Sequence, residues 1–124
     1  MYFKREAEFK PGTFFAGGGE RRIPEDQQWG AIRALEPTTG KMAWEFRLVS
    51  PPWAGVMSTA SGLVFAGSSG NFMAIDSKTG KSLWRYQMGA PLYTAAVTYM
   101  LDGRQYVLMG AGTSITAFAL PQGN

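Results

Sequence analysis

The sequence predicts an all-β fold, and three observations support this class. No segment shows the 3.6-residue apolar spacing of an amphipathic helix. The chain contains 16 glycines, 4 tryptophans, 5 tyrosines and 8 phenylalanines, a composition typical of short strands joined by tight turns. One eleven-residue pattern occurs twice with a spacing of 40 residues, and this period lies in the range of four-stranded propeller blades. We therefore expect a partial β-propeller.

The repeated pattern is Ala-x-(Glu or Asp)-x-x-Thr-Gly-Lys-x-x-Trp, and its two copies span residues 34–44 and 74–84. In such a segment the acidic side chain and the threonine can bond backbone groups of a turn, while the glycine can adopt a positive φ. Each copy therefore predicts the end of one strand, a tight turn and the start of the next. For this reason we interpret the carboxylates of Glu36 and Asp76 as turn caps and not as catalytic groups.

The remaining strands are predicted from short apolar runs between turn residues. They are expected at residues 13–16, 31–35, 42–48, 55–59, 63–67, 72–76, 82–87, 95–99, 105–110 and 115–119. Residues 17–28 are expected to form a polar loop, and Asp102-Gly103 is typical of a hairpin turn.

These strands amount to about two and a half four-stranded antiparallel blades, whereas a closed propeller needs about four to eight. The expected blade parts are at about residues 2–48, 53–88 and 91–121. We therefore expect residues 1–124 to be a fragment of a propeller domain. The open edge of its last blade could pair with residues 2–9, within one chain or between two, so self-association is possible.

Composition excludes several classes of function. The chain has no histidine and no cysteine, so it lacks the commonest general base and metal ligand and cannot form disulfides. The net charge of +3 comes from scattered residues and does not indicate a nucleic-acid surface. No apolar run is long enough to span a membrane. Ser58 and Thr59 have no histidine partner for nucleophilic catalysis. We predict no catalytic residue and no metal ligand in this chain.

The repeats, together with the stretch at residues 50–67 that contains Pro51-Pro52-Trp53-Ala54-Gly55, resemble pyrroloquinoline quinone (PQQ) dependent alcohol dehydrogenases. The resemblance covers about residues 2–121 and corresponds to the C-terminal part of that family's propeller, which implies an eight-bladed parent. In the family, a tryptophan-docking motif packs each blade on its neighbour and locks the ring. The positions that match this motif are Ala34, Gly40, Trp44, Ala74, Gly80 and Trp84.

The resemblance also implies a function for the parent protein. Trp53, Ala54 and Gly55 would lie in the funnel beside the bound quinone. The parent would oxidise a small alcohol in the periplasm: PQQ would accept the hydride, a calcium-like ion would polarise its carbonyl, and an aspartate would take the hydroxyl proton. In the family these other groups lie upstream, so we expect the fragment alone to be inactive and to bind no cofactor. Its partners would be the remaining blades.

Two features keep a second interpretation open. Similar repeats occur in non-catalytic propellers that serve as protein-binding or assembly scaffolds, although the Pro-Pro-Trp-Ala-Gly stretch argues against that class. In addition, residues 110–113 read Gly-Ala-Gly-Thr and lack the Gly-Gly-Trp that several family members place near the quinone. Contact with the cofactor from that turn is therefore not expected.

Overall fold

The computed structural model describes residues 2–4, 6–15, 17–21 and 23–121, and over these residues it is all-β, as predicted. Its only helical element there is a three-residue 3-10 turn at Glu25–Gln27. The strands are β1 (Tyr2–Phe3), β2 (Gly19–Glu20), β3 (Gly30–Leu35), β4 (Met42–Leu48), β5 (Met57–Ser58), β6 (Leu63–Ser68), β7 (Asn71–Asp76), β8 (Ser82–Gln87), β9 (Val97–Leu101), β10 (Arg104–Ala111) and β11 (Ser114–Phe118). All of their pairings are antiparallel.

Three sheets make up the body of the fold, and we number them along the chain. The first sheet consists of β3 and β4, the second of β5-β6-β7-β8 in that order, and the third of β9-β10-β11. The short strands β1 and β2 pair separately. The second sheet therefore has the four strands expected of a complete blade, because each strand pairs with its neighbour in sequence.

The 40-residue repeat in sequence is also a repeat in structure. In the β3–β4 hairpin Ala34 lies opposite Trp44, and in the β7–β8 hairpin Ala74 lies opposite Trp84. The register shifts directly after each of these alanines, so both hairpins contain the same irregularity. Gly40 and Gly80 adopt φ values of 69° and 72°, which favour glycine because they lie in the left-handed region.

Strand β7 of the second sheet is buried on both faces. Met73 and Ile75 of β7 pack with Ile32 and Leu48 of the first sheet. Phe72, which points to the opposite face, packs with residues of the third sheet and of the segment before it: Leu92, Ala96, Val107, Met109 and Ala111. The continuous apolar run of β7 follows from this position between two neighbours, because neither face of the strand meets solvent.

The third sheet covers the second with one face and exposes the other. Val107, Met109 and Ala111 of β10 point inward and are buried. Val97, Leu101 and Ile115 are exposed apolar residues on the remaining strands. The order β11-β10-β9 leaves β11 at the edge of the sheet. The turn between β9 and β10 is formed by Asp102 and Gly103, with φ values of 50° and 74°, as the Asp-Gly signal predicted.

Two predictions about the N-terminal part are wrong. Thr13, Phe14 and Phe15 do not form a strand, and Ala16 lies outside the described residues. Phe14 is 94% exposed, so the apolar run lacks the buried face that would stabilise a strand there. Within residues 2–9, Tyr2 and Phe3 pair with Gly19 and Glu20 of the same chain. Pairing of residues 2–9 with the edge of the last sheet of a second chain stays a prediction. The predicted loop at 17–28 therefore contains β2 and the 3-10 turn.

Candidate functional site

The Trp53 segment runs from Ser50 to Val56 and leads into β5. Its backbone packs closely against Gly30, which has no side chain. A Cβ on Gly30 would overlap Pro52 Cδ and would lie 2.9 Å from the carbonyl oxygen of Ser50. A Cβ on Gly67 would lie 3.1 Å from Ala54 Cβ. A side chain at Gly30 would overlap the segment and one at Gly67 would crowd it, so these two glycines allow the backbone on either side of Trp53 to pack closely.

The Trp53 side chain is 69% exposed. A large aromatic ring that is held by a rigid backbone but is not packed in a core is available for a ligand or a partner. The structure thus places the three predicted cofactor-binding residues in one segment: Trp53 is exposed, Ala54 is half-buried and Gly55 contacts the next segment.

The next segment is Pro91–Ala96, which leads into β9. A Cβ on Gly55 would lie 2.9 Å from Ala95 Cβ, so the two lead-in segments run in close contact. Leu92 is buried, and its Cδ1 would lie 2.7 Å from a Cβ on Gly67. Tyr93 follows Leu92 and is 68% exposed. The two exposed aromatic rings therefore belong to adjoining segments.

A shallow cleft of about 450 Å³ lies beside Tyr93 on the exposed face of the third sheet. Its lining includes Tyr93, Thr94, Val97, Leu108, Gly110 and Ile115, and no charged side chain contributes to it. Thr94 Oγ1 would lie 3.2 Å from a Cβ on Gly110, so the cleft depends on that glycine. Because its walls are apolar and hydroxylic, the cleft suits a neutral group.

The carboxylates of the described residues do not gather into a group that could hold a metal ion. No group of three or more His, Cys, Asp or Glu side chains occurs in that part of the chain. Asp76 Oδ1 accepts hydrogen bonds from Thr79 Oγ1 at 2.8 Å and from the backbone nitrogens of Thr79 at 2.7 Å and Lys78 at 3.0 Å. The hydrogen bond from the Thr79 hydroxyl lowers the pKa of Asp76 most, and the hydrogen bond from the Thr79 backbone N–H lowers it further. The carboxylate thus caps the turn, as predicted.

Glu36 occupies the equivalent turn but is bonded less fully. Its Oε1 accepts a hydrogen bond from Thr38 Oγ1 at 3.2 Å. The backbone bonds of the two turns are the same: Gly40 N donates to the carbonyl oxygen of Glu36 at 2.8 Å, and Gly80 N donates to that of Asp76 at 2.9 Å. The repeat therefore preserves the backbone turn and varies the side-chain cap.

The two repeat tryptophans lie in different surroundings. Trp44 is half-buried, and its Nε1 donates a hydrogen bond to the carbonyl oxygen of Ser77 at 2.8 Å. A Cβ on Gly80 would lie 2.8 Å from Cδ2 and Cε3 of Trp44, so the indole lies directly on the glycine of the turn in the second sheet. Trp44 thereby links the first sheet to the β7–β8 turn.

Trp84 is 39% exposed and packs within a cluster of aromatic rings. Its ring lies 5.3 Å from Phe118 and 5.8 Å from Phe72, in edge-on contacts, and stacks on Tyr86 at 6.1 Å. Phe118 connects this cluster to the third sheet. Sequence reasoning missed Phe118, because its segment after β10 has no repeat tryptophan or Thr-Gly-Lys turn to mark it.

Comparison with known proteins identifies several similar chains. Residues 47–107 match the family model described as PQQ, glucose/ethanol/alcohol dehydrogenase, beta-propeller domain. A quinoprotein alcohol dehydrogenase of Pseudomonas putida is 41% identical over 113 residues, which are 90% of this chain and 18% of the relative. A quinoprotein ethanol dehydrogenase of Pseudomonas aeruginosa is 38% identical over 118 residues, which are 92% of this chain and 19% of the relative.

Solved structures give a consistent result. A quinohemoprotein alcohol dehydrogenase of Pseudomonas putida superposes with a TM-score of 0.71 and 30% identity over 92% of this chain and 19% of that one. A europium-containing methanol dehydrogenase superposes with a TM-score of 0.69 and 33% identity over 87% of this chain and 20% of that one. The chain thus spans about a fifth of the length of the proteins that it matches. Among the described residues, no helix is both long and apolar enough to cross a membrane.

Proposed function

Because the chain belongs to the quinoprotein alcohol dehydrogenase family, we propose that it is a propeller segment of an enzyme that oxidises alcohols with PQQ. The observation that carries this proposal is Trp53: its ring is exposed, although its backbone is fixed by Gly30 and Gly67 within the stretch that matches the family. An exposed ring on a closely packed backbone suits a planar cofactor, since the backbone that carries the ring is already ordered in the fold.

The described residues fit one side of a quinone site. When bound, the quinone supplies the hydride acceptor for the alcohol. In that chemistry this chain presents the Trp53 ring as an apolar wall and keeps water from that side of the quinone. Ala54 and Gly55 position the segment that carries the ring. A metal, calcium in our proposal, would have to be held elsewhere, because the described carboxylates are dispersed or committed to turns.

The repeat tryptophans have a structural role in this proposal. Trp44 joins adjacent sheets through its contacts with Ser77 and Gly80, and Trp84 joins its sheet to Phe118. The hairpins that carry these rings place Ala34 opposite Trp44 and Ala74 opposite Trp84, and the turn of the first hairpin needs Gly40 at a positive φ. The partners are the remaining blades of the propeller, and the fragment alone is inactive. The compartment we propose is the periplasm, from the family resemblance.

A non-catalytic propeller that binds proteins or supports an assembly is the second candidate. The observation that favours it is the exposed apolar face of the third sheet, formed by Val97, Leu101 and Ile115, because exposed apolar surfaces of this kind often bind proteins. The two functions differ in whether Trp53 is needed for a chemical reaction.

A chimera tests the proposal. In the Pseudomonas putida relative, the matching 113 residues are replaced by this chain, and alcohol oxidation is measured with added PQQ and calcium. We expect activity, and we expect Trp53→Ala to lower kcat/KM by about tenfold or more, since a misplaced cofactor is costly. The control is Phe14→Ala, which also removes an exposed ring. A folded chimera with no activity, or equal activity of the two variants, would contradict the proposal.

A further inference from the structure

The first sheet has an outer face, which lies opposite the face that packs on the second sheet, and this outer face carries Arg33 and Leu35. Ile32 belongs to the packed face and is buried, and side chains alternate between the two faces along a strand. Arg33 and Leu35 are the counterparts, 40 residues earlier, of Met73 and Ile75 in β7. The two hairpins have the same register and the same irregularity. The outer face is therefore equivalent to the face of β7 that meets the first sheet.

A neighbouring sheet buries the two residues of β7, whereas the described residues leave the outer face open. Met73 is 4% exposed and Ile75 is 0% exposed, because both pack with residues of the first sheet. Leu35 is 57% exposed, and the side chain of Arg33 is 49% exposed. The chain spans about a fifth of the length of the propellers that it matches, so these proteins have further sheets. We call the one that packs on this face the preceding sheet.

The outer face carries an excess of positive charge. Arg33 Nε donates a hydrogen bond to Glu45 Oε2 at 2.7 Å, but its two Nη groups donate none to another described residue. Arg47 lies on the same face, because it precedes the inward-facing Leu48 in β4. Its Cζ lies 4.3 Å from the centroid of the Trp29 ring, and no carboxylate of the described residues pairs with it. Two arginines and one glutamate leave one positive charge uncompensated.

A sheet that packs on Arg33 must compensate this charge. Covering an arginine with an apolar surface is costly, because the guanidinium loses water and its remaining N–H groups gain no acceptor. Glu45 does not supply this acceptor, since it bonds only Nε of Arg33. Its counterpart in the second sheet, Arg85, is exposed on the edge strand β8 although that sheet has both neighbours. A carboxylate from the preceding sheet could bond two N–H groups of the guanidinium side by side.

We propose that the outer face of the first sheet docks on a preceding sheet that presents a carboxylate to Arg33. Between the first and second sheets, Met73 packs with Ile32 and Leu48. The carboxylate therefore occupies the position in the preceding sheet that Ile32 or Leu48 occupies in the first. A second copy of this chain does not fit, because the cleft on the exposed face of the third sheet has no charged side chain. The inference goes beyond the proposed function and holds whether or not the protein binds PQQ.

The test compares Arg33→Met in the isolated chain and in the chimera described above, where the relative supplies the preceding sheet. Methionine is the residue of the equivalent position 73. In the isolated chain the ion pair with Glu45 is exposed, so the thermal midpoint should change by no more than about 3 °C. In the chimera the substitution leaves a buried carboxylate unpaired, and the midpoint should fall by about 5 °C or more. Glu45→Gln is the matched control and should change the midpoint by no more than about 3 °C in both proteins.

An apolar preceding sheet predicts the opposite sign. Replacing a buried arginine by methionine would then raise the midpoint of the chimera or leave it unchanged, and the proposal would be wrong. A fall with Glu45→Gln as large as that with Arg33→Met would also overturn it, because Glu45 would then be the partner that matters. If Arg33→Met prevents the chimera from folding, Arg33→Lys should restore folding because it keeps the charge, and its failure to do so would contradict the proposal.

Two further outcomes bear on the partner. If Arg33→Met abolished self-association of the isolated chain in light scattering, a second copy would be the partner and the proposal would be wrong. A chimera that does not fold would count against the proposal as well, because the relative's preceding sheet would then not accept this face. A folded chimera without alcohol oxidation contradicts the proposed function only, since the midpoints of its variants still test the docking of Arg33.

Discussion

Gly80→Ala measures how much the contact between the first and second sheets stabilises the chain. Gly80 has a φ of 72°, and an added Cβ would lie 2.8 Å from two atoms of the Trp44 indole. Gly40 is the equivalent residue of the first hairpin, with a φ of 69°, but a Cβ there would meet no atom within 4 Å. The two substitutions therefore share the same backbone strain and differ in the contact with Trp44.

The expected losses follow from these two contributions. The left-handed conformation costs an alanine about 1–2 kcal/mol in either turn. Forcing a methyl group against a fixed ring costs a further 1–3 kcal/mol, roughly the range for overpacked sites. We therefore expect Gly40→Ala to lower the free energy of unfolding by about 1–2 kcal/mol and Gly80→Ala by about 2–5 kcal/mol.

The assay is urea unfolding of the chain, followed by circular dichroism and extrapolated linearly to zero denaturant. A double-mutant cycle supplies the control, because Trp44→Ala removes the ring that the new methyl group would strike. In that background Gly80→Ala should cost no more than Gly40→Ala does. If Gly40→Ala and Gly80→Ala lower the free energy of unfolding equally in the unchanged chain, the indole of Trp44 moves aside at no cost. The contact between Trp44 and Gly80 would then not stabilise the packing of the two sheets.

Four further outcomes are expected. The unchanged chain should have a higher free energy of unfolding than Asp76→Asn, because the folded-state pKa of this aspartate is lowered. The difference should be full above about pH 5 and should decline below about pH 4. A difference in unfolding midpoints that does not change with pH would contradict this. Trp53→Ala should change the free energy of unfolding by less than about 0.5 kcal/mol, and a larger loss in urea titrations would mean that the ring is packed. The isolated chain with PQQ and calcium should oxidise no alcohol, and turnover in a dye-reduction assay would refute that. Light scattering should detect self-association at micromolar concentration that Ile115→Asp abolishes, and a monomeric unchanged chain would refute this.

The sequence predicted the strands that carry the repeat more accurately than the others. The hairpins around Gly40 and Gly80 were predictable because their turns need specific residues: a glycine at positive φ and side chains that bond the backbone. The strands at residues 63–76 were predictable from their apolar runs. By contrast, Thr13–Phe15 has the composition of a strand without its environment, and no local pattern reveals that Phe14 is exposed.

The candidate site was only partly predictable. Trp53 could be singled out because prolines and small residues surround it, but its exposure depends on how Gly30 and Gly67 hold the segment, and those contacts join residues far apart in sequence. The contact of Trp44 with Ser77 and Gly80 likewise lies between two repeats.

The position of the second sheet between two neighbouring sheets has a consequence for the dynamics of the chain. The second sheet has two neighbours, whereas the first and third sheets each contact it on one side. In arrays where each unit is stabilised mainly by its nearest neighbours, a unit with two interfaces opens less often than a unit with one. Amide hydrogens in β6 and β7 should therefore exchange most slowly, with protection decreasing toward β3 and toward β11. The difference in protection between the central and outer strands would measure the free energy of a single sheet–sheet interface.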